Sequence, residues 1–122
     1  MKTALVIDDN RQPADTLCQM LALFDIQAQP AYGARAAILS LRERTPDIVF
    51  LDIAMPGVDG FEILAYLRRE PRLLNIPVVV VTADENPETA QRARQEGAVE
   101  VIIKPASLEG LEQVLKRAGL VE

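Results

Sequence analysis

The chain has 122 residues, of which 13 are basic, 18 are acidic, one is cysteine and none is histidine, giving a net charge of −5. This length suits one domain, so we expect residues 1–122 to form a single complete domain without an effector domain. The lack of histidine excludes a Ser-His-Asp triad, a Cys-His pair and an HExxH zinc site within the chain. The negative charge disfavours nucleic acid and anionic membranes as partners, since it repels phosphate groups. The lone Cys18 and the lack of apolar runs of ~20 residues predict a cytoplasmic protein.

Apolar runs and amphipathic stretches alternate along the first half of the chain. Residues 4–7 predict a strand, and apolar side chains at helical spacing predict the helix that follows it. Residues 27–32 predict a weak second strand at a sheet edge, because Pro30 cannot donate a hydrogen bond to a neighbouring strand. A second helix with one apolar face follows Gly33.

The second half of the chain repeats this pattern three times. Residues 48–51 predict the third strand, which leads through a Pro-Gly loop into the third helix. Residues 78–81 predict the fourth strand, followed by a polar helix over 88–96. Residues 99–103 predict the fifth strand, and a last helix begins near Leu108.

The strand runs are continuously apolar rather than alternating, which is typical of strands covered on both faces. Strands that alternate with helices form right-handed crossovers between parallel strands. The sequence therefore predicts an α/β fold, with a doubly wound, five-stranded parallel sheet between two layers of helices.

Polar side chains follow four of the predicted strands, where ligands bind in open α/β sheets. They are Asp8 and Asp9 after the first, Asp52 after the third, Thr82 after the fourth and Lys104 after the fifth. Each alone is explained as a turn residue, a helix cap or a surface lysine. Their joint occurrence favours one functional crevice with three carboxylates, a hydroxyl and an ammonium group.

This set of groups predicts phosphoryl chemistry. Three clustered carboxylates repel one another unless a cation joins them. Mg²⁺ fits, since it takes oxygen ligands and is commonly held by one or two carboxylates together with waters and a phosphate. A carboxylate beside such an ion can attack a phosphoryl group and form an acyl phosphate, while the lysine neutralises the phosphoryl oxygens. The cluster therefore contains the parts for phosphoryl capture on an aspartate.

Four segments together resemble the receiver domain of bacterial two-component response regulators, over nearly the whole chain. They are residues 6–10, 47–60, 81–83 and 104–105. The resemblance is specific because all four occur in this order. It implies a flavodoxin-like sheet of order 2-1-3-4-5 and a phosphorylation-controlled signalling module, here a stand-alone receiver similar to the chemotaxis regulators.

The resemblance also implies a role for each polar residue. Asp52 is the expected phosphoacceptor, Lys104 contacts a phosphoryl oxygen, and Thr82 supplies a hydroxyl that reorients on phosphorylation. The implied Mg²⁺ ligands are Asp8, Asp9, Asp52 and the backbone carbonyl of Ala54. A cis bond between Lys104 and Pro105 is a further trait of the family.

Two positions bear on how the signal leaves the site. Val101 stands where many receivers carry Tyr or Phe, the switch residue that turns inward with the threonine. We therefore expect transmission through the backbone of residues 82–84 and the helix after it, with little movement at Val101. Asp84 is a candidate for guiding water or an auxiliary phosphatase, or a cap of the fourth helix.

The resemblance implies a histidine kinase or a phosphotransfer protein as phosphodonor, with small acyl phosphates as a second source. Output is expected in trans, through a face formed by the fourth helix, the fifth strand and the last helix. We expect no turnover of an external substrate, and neither nucleic acid nor membrane as a partner.

Three other functions stay open on the sequence alone. A phosphatase of the haloacid dehalogenase type also uses a strand-end aspartate with Mg²⁺, but needs a second acid where this chain has Ala54. A flavodoxin-like flavin binder needs a hydroxyl- and amide-rich loop where this chain has Asp8 and Asp9. A receiver-like binding module that has lost phosphorylation is distinguished only by a phosphorylation test.

Overall fold

Seven strands occur in the computed structural model, which describes residues 1–55 and 58–122. They are β1 (Lys2–Ile7), β2 (Ile26–Ala31), β3 (Ile48–Leu51), β4 (Ala54–Met55), β5 (Val58–Asp59), β6 (Val78–Thr82) and β7 (Glu100–Ile103). Five of them form a parallel sheet in the order β2-β1-β3-β6-β7, while β4 and β5 form a separate antiparallel pair. Counted within the large sheet, this order is 2-1-3-4-5, so the predicted topology is confirmed.

Five helices cover the two faces of the sheet. They are α1 (Arg11–Ala22), α2 (Ala34–Glu43), α3 (Gly60–Arg69), α4 (Pro87–Gln95) and α5 (Leu108–Arg117). Buried side chains of α1 and α5 form one apolar cluster with the sheet, and those of α2, α3 and α4 form the other. None of these helices, within the described residues, is long and apolar enough to cross a membrane.

The central strand β3 shows why the apolar runs are continuous. Ile48 and Phe50 pack into the cluster under α1 and α5, whereas Val49 and Leu51 pack into the opposite cluster. All four are fully buried. A strand between two helix layers needs apolar side chains on both faces.

The edge strands depart from this rule. Pro30 lies in β2, which pairs only with β1, so the predicted edge position is confirmed. The fifth predicted strand is equally apolar, yet Val101 and Ile102 are only half-buried and Ile103 is exposed. β7 pairs only with β6, so its outer side has no neighbouring strand in the described residues. The expectation of full cover on both faces is wrong for this strand.

The connection from β3 to α3 is held by a close approach of two backbones. Asp59 caps the start of α3, where its carboxylate accepts a hydrogen bond from the backbone N–H of Phe61 at 2.9 Å. A Cβ on Gly60 would lie 2.3 Å from the Cα of Ile53. Only glycine allows this approach, which fixes the segment directly after Asp52. The predicted Pro-Gly pair of this loop, residues 56–57, lies outside the described residues.

We expect Gly60→Ala to lower the free energy of unfolding by about 1–3 kcal/mol, because the added methyl group overlaps the Ile53 backbone. Gly110→Ala in α5 is the control. Its Cβ meets only the Ser107 Oγ, at 3.1 Å, and alanine favours a helix, so the change should stay within about 1 kcal/mol. Urea unfolding measures both variants, and equal losses would contradict the packing constraint.

Candidate functional site

The polar residues predicted at the strand ends meet at one edge of the sheet. Asp8, Asp52 and Thr82 are the only buried polar or charged residues in the described parts of the chain, at 4%, 6% and 0% exposure. Asp9 is exposed and Lys104 is half-buried. Burying charged groups costs free energy unless they are paired. Packing of the apolar core does not account for buried carboxylates at this edge of the sheet, so their position points to a functional site.

One ammonium group joins the two buried carboxylates. The Lys104 Nζ donates to Asp8 Oδ2 at 2.8 Å and to Asp52 Oδ2 at 3.2 Å. The second oxygen of each carboxylate accepts a backbone N–H, from Asn10 at 3.0 Å and from Ala54 at 2.9 Å. Both oxygens of each buried carboxylate are thus held in place.

The charges of this cluster do not balance. Burial raises the pKa of Asp52, the negative charge of Asp8 adds to this, and the Ala54 N–H and Lys104 oppose it without cancelling it. For Lys104, burial lowers the pKa, but the hydrogen bond to Asp8 and the charges of both aspartates outweigh burial and raise it. Lys104 is therefore held in its charged form, while the charged form of Asp52 is less favourable than that of a free aspartate, first because of burial and then because of Asp8.

A third carboxylate completes a group of oxygen donors. Ligand oxygens of Asp8, Asp9 and Asp52 all lie within 4.8 Å of one another. Carboxylate oxygens are hard ligands of the kind that Mg²⁺ prefers, and the exposed Asp9 leaves one side of the group open to water and phosphate. The donor set fits a magnesium ion.

Thr82 is connected to α4 rather than to the carboxylates. Its Oγ accepts the backbone N–H of Asp84 at 3.1 Å. The Asp84 carboxylate accepts the backbone N–H of Asn86 at 2.9 Å and the Thr89 hydroxyl at 2.7 Å. The residue that caps α4 is Asn86, whose side chain accepts the N–H of Glu88 at 3.0 Å.

The sequence interpretation of Asp84 or Thr82 as this helix cap is therefore wrong. Asn86 is followed by Pro87, and an asparagine cap with proline at the first helical position is a common helix start. That signal is visible in the sequence and identifies the cap. Thr89, in the first turn of the helix, carries no such signal because its partner is set by the fold of the loop.

The last two positions lie on β7 and just after it. The Lys104–Pro105 bond is cis, as the resemblance implies. The backbone N–H of Lys104 donates to the carbonyl oxygen of Thr82 at 2.8 Å, which aligns the ends of β7 and β6. Val101 pairs with Val80 and packs against the apolar cluster under α2, α3 and α4.

A cavity of about 440 Å³ opens beside the cluster. Asp8, Asp52 and Lys104 line it together with apolar residues of the sheet and α1, including Leu17 and Met20. A small ligand can therefore approach the carboxylates from the side of α1. This volume lies within the range of small-molecule sites.

Comparison with known proteins agrees with this geometry. A family model described as the response regulator receiver domain matches residues 4–116. A probable cyclic di-GMP phosphodiesterase of Vibrio cholerae is 32% identical over 106 residues, which are 87% of this chain and 24% of that protein. The phosphate regulon transcriptional regulatory protein PhoB of Pseudomonas aeruginosa is 28% identical over 122 residues, 97% of this chain and 53% of that protein. The chain thus spans about a quarter to a half of such curated relatives.

Two solved structures are similar over almost their whole length. The signal receiver domain of a DNA-binding response regulator from Colwellia psychrerythraea has 32% identity and a TM-score of 0.89, covering 96% of this chain and 97% of that one. Chemotaxis protein CheY4 of Vibrio cholerae has a TM-score of 0.89 at 24% identity, covering 97% and 98%. The second likeness is one of fold alone.

If the three carboxylates of the folded chain hold Mg²⁺, the ion should raise the midpoint of thermal unfolding, because the unfolded chain does not bring these carboxylates together. At 100 times its Kd the gain is about 2.7 kcal/mol. In EDTA, Asp52→Asn should unfold at a higher temperature than the native chain, since it removes one of the mutually repelling charges, and it should gain less from Mg²⁺. Calorimetry with and without Mg²⁺ measures both effects.

Asp25→Asn is the matched control for this experiment. Asp25 is exposed and has a φ of 60°, a conformation that asparagine tolerates. Its stability should stay within about 0.5 kcal/mol of the native value. Equal Mg²⁺ effects in Asp52→Asn and the native chain would exclude Asp52 from the metal site.

Proposed function

Because this chain belongs to the response regulator receiver domain family, we propose that Asp52 accepts a phosphoryl group and thereby controls the binding of a protein partner. Receiver domains act in phosphorylation-controlled signalling. The observation that carries the assignment is the buried Asp52 carboxylate, held between the Ala54 N–H and the Lys104 ammonium next to Asp8. In this proposal residues 1–122 work as one receiver domain.

The transfer needs little beyond positioning and charge. An oxygen of Asp52 attacks the donor's phosphorus, the bond from phosphorus to the donor breaks, and the donor leaves with that electron pair. The Ala54 N–H holds Asp52 Oδ1 and thereby fixes the orientation of the carboxylate. Lys104, which is already within 3.2 Å of Asp52 Oδ2, neutralises the oxygens of the incoming group.

A magnesium ion belongs in the same proposal. Asp8, Asp9, Asp52 and the backbone carbonyl of Ala54 would hold it, and it would neutralise phosphoryl charge during the transfer. The donor set described above supports this ion. It also explains why two buried carboxylates and a third exposed one are placed together against a single lysine.

Thr82 is the group that reports the new charge. Thr82 is fully buried at the end of β6, which lies next in the sheet to β3, the strand directly followed by Asp52. We assign to its hydroxyl a hydrogen bond donated to a phosphoryl oxygen after transfer, since a bond to a charged oxygen is stronger than the one that the Thr82 oxygen now accepts from the Asp84 N–H. Val101 is apolar, so in this proposal its side chain forms no hydrogen bond in the switch.

The phosphodonor in this proposal is a histidine kinase or a phosphotransfer protein of the cytoplasm, with small acyl phosphates as a second source. The cavity on the α1 side of the carboxylates gives a small acyl phosphate access to Asp52. We propose no turnover of an external substrate. A phosphatase of this type needs an acid two residues after Asp52, and Ala54 supplies only its N–H there.

The output face is proposed on α4, β7 and α5. Apolar side chains are exposed there at Val99, Ile103 and Leu108. α4 has a single buried residue, Ala93, so it is the helix that is most easily displaced. The net charge of −5 supports a protein rather than DNA as the partner of this chain.

Incubation with a small acyl phosphate and Mg²⁺ should add one phosphoryl group to the native chain, read as a shift in intact mass. Asp52→Asn should abolish the shift, because the amide cannot form an acyl phosphate. Asp25→Asn keeps its own acceptor site intact and should be labelled like the native chain. An unchanged native mass, with donor and Mg²⁺ present, contradicts the proposal and favours a binding module without phosphorylation.

A protein retained by the phosphorylated chain, and not by the unmodified one, should bind about tenfold more weakly after the double change Arg94→Glu and Lys116→Glu. Both side chains are exposed, one on α4 and one on α5. Arg92 is left unchanged because it pairs with Glu96. Pull-down titration measures the loss.

The matched control for the output face is the double charge reversal Arg35→Glu and Arg42→Glu. These exposed arginines lie on α2, outside the proposed output face. α2 covers the face of the sheet opposite to the one that α5 covers. Binding should be retained in this variant. An equal loss of binding in both double variants would contradict the proposed output face. It would mean that the partner binds elsewhere or that the loss follows from the changed net charge alone.

A further inference from the structure

A second cavity lies at the end of the sheet opposite to Asp52. It opens between the start of β1, the edge strand β2 and the C-terminal end of α2, and its volume is about 200 Å³. Sites for drug-sized ligands measure about 300–1,000 Å³, so this cavity suits a smaller molecule. The polar residues that line it are Thr3, Gln27, Gln29, Ser40, Arg44 and Thr45.

The sheet is polar at this cavity, on a face that is otherwise directed towards an apolar layer. Thr3 of β1 pairs with Gln27 of β2. Two residues further along, Leu5 pairs with Gln29. Alternate residues of a strand share a face, and Leu5 belongs to the apolar cluster under α2, α3 and α4. Two glutamines and a threonine therefore stand where apolar side chains would close the gap beneath α2.

Arg44 gives the cavity a positive charge. Its guanidinium forms no ion pair and no side-chain hydrogen bond with residues 1–55 or 58–122. A second guanidinium, that of Arg72, donates to the Thr45 hydroxyl oxygen at 2.5 Å and adds to the positive charge at this end.

The carboxylate of Asp47 lies close to the cavity but does not line it. Its Oδ2 accepts the backbone N–H of Thr3 at 2.8 Å and the Thr3 hydroxyl at 3.3 Å. The lining itself thus combines one cation with amide and hydroxyl groups, and it contains no carboxylate among the described residues. Such a lining favours an anion.

We propose that this cavity binds a small carboxylate that carries a short apolar tail. The guanidinium of Arg44 pairs with the carboxylate, whose two oxygens match its planar fork of N–H donors. The side-chain amides of Gln27 and Gln29 donate further hydrogen bonds to these oxygens. The tail packs against Leu5 and Pro46, which are buried and line the cavity.

The site does not rest on the proposed function of Asp52. Thr3 lies near the start of β1, whereas Asp8 directly follows the end of the same strand. The cavity and the carboxylate cluster therefore occupy opposite ends of the sheet, and each can be tested without the other.

Two-dimensional NMR during a titration with sodium butyrate, at an ionic strength held constant with sodium chloride, tests this site. We expect saturable shifts of the Thr3 and Leu5 amides and of the side-chain NH₂ groups of Gln27 and Gln29. The Kd should be millimolar, because Arg44 is exposed and the ligand has few atoms. Butyramide, the neutral isostere, should bind at least about tenfold more weakly, as for the loss of a hydrogen bond between charged groups.

Two variants assign the binding to the lining residues. Arg44→Gln removes the charge from an exposed side chain and should weaken butyrate binding at least about tenfold. Gln29→Leu removes one neutral donor and should weaken it about two- to tenfold. Arg42→Gln is the matched control, because Arg42 is an exposed arginine of α2 that does not line the cavity. It should bind butyrate like the native chain.

Several results would overturn the proposal. Shifts that grow without saturation, or an equal loss in Arg44→Gln and Arg42→Gln, contradict a binding site in this cavity. Butyramide that binds as tightly as butyrate contradicts recognition of the charge, and inorganic phosphate that binds as tightly contradicts a role for the apolar tail. Asp52→Asn should bind butyrate like the native chain, so failed phosphoryl transfer and failed butyrate binding are separate outcomes.

Discussion

The ammonium of Lys104, shared between Asp8 and Asp52, is the interaction on which the site depends. Its partners lie 96 and 52 residues away in the sequence, at the ends of β1 and β3. Lys104 follows β7, so it reaches them across β6, and only the order β1-β3-β6-β7 makes this contact possible. Removing such a cation leaves buried carboxylates unpaired, which is far more costly than losing a surface ion pair. The sheet and the site therefore require each other.

Continuous apolar runs were sufficient to predict β1, β3, β6 and β7, and β3 shows why: it must fill two apolar clusters at once. Its predicted bounds and the observed Ile48–Leu51 coincide, whereas β1 extends back to Lys2, where polar side chains hide the strand. Periodicity shows which faces are buried but not which strands are neighbours. The order of the sheet came from the resemblance to receiver domains, whereas the positions of Asp8, Asp52 and Lys104 directly after predicted strands already indicated their grouping.

What the sequence did not predict depends on contacts between distant residues. No local pattern indicates that Gly60 lies against the Ile53 backbone. Nor does one indicate that β4 and β5, strands of only two residues each, pair with each other. The half-buried state of β7 follows from its edge position, which an apolar run cannot reveal. Asn86 is a different case, because the sequence itself contains the signal for a helix cap, an asparagine followed by Pro87. The prediction assigned the cap to Thr82 or Asp84 instead.

The rigid and loose parts of the molecule divide the work of a switch. Phosphorylation of Asp52 would add roughly one further negative charge to a cluster that already has more carboxylates than cations. In the proposed function, Lys104 and a metal ion would balance this charge from their present positions, whereas Thr82 would have to turn towards it. The Thr82 hydroxyl oxygen also accepts the backbone N–H of Asp84, in the exposed loop before α4. In the proposed function, the charge added in the core would thereby act on α4, the helix with the fewest buried residues to hold it in place.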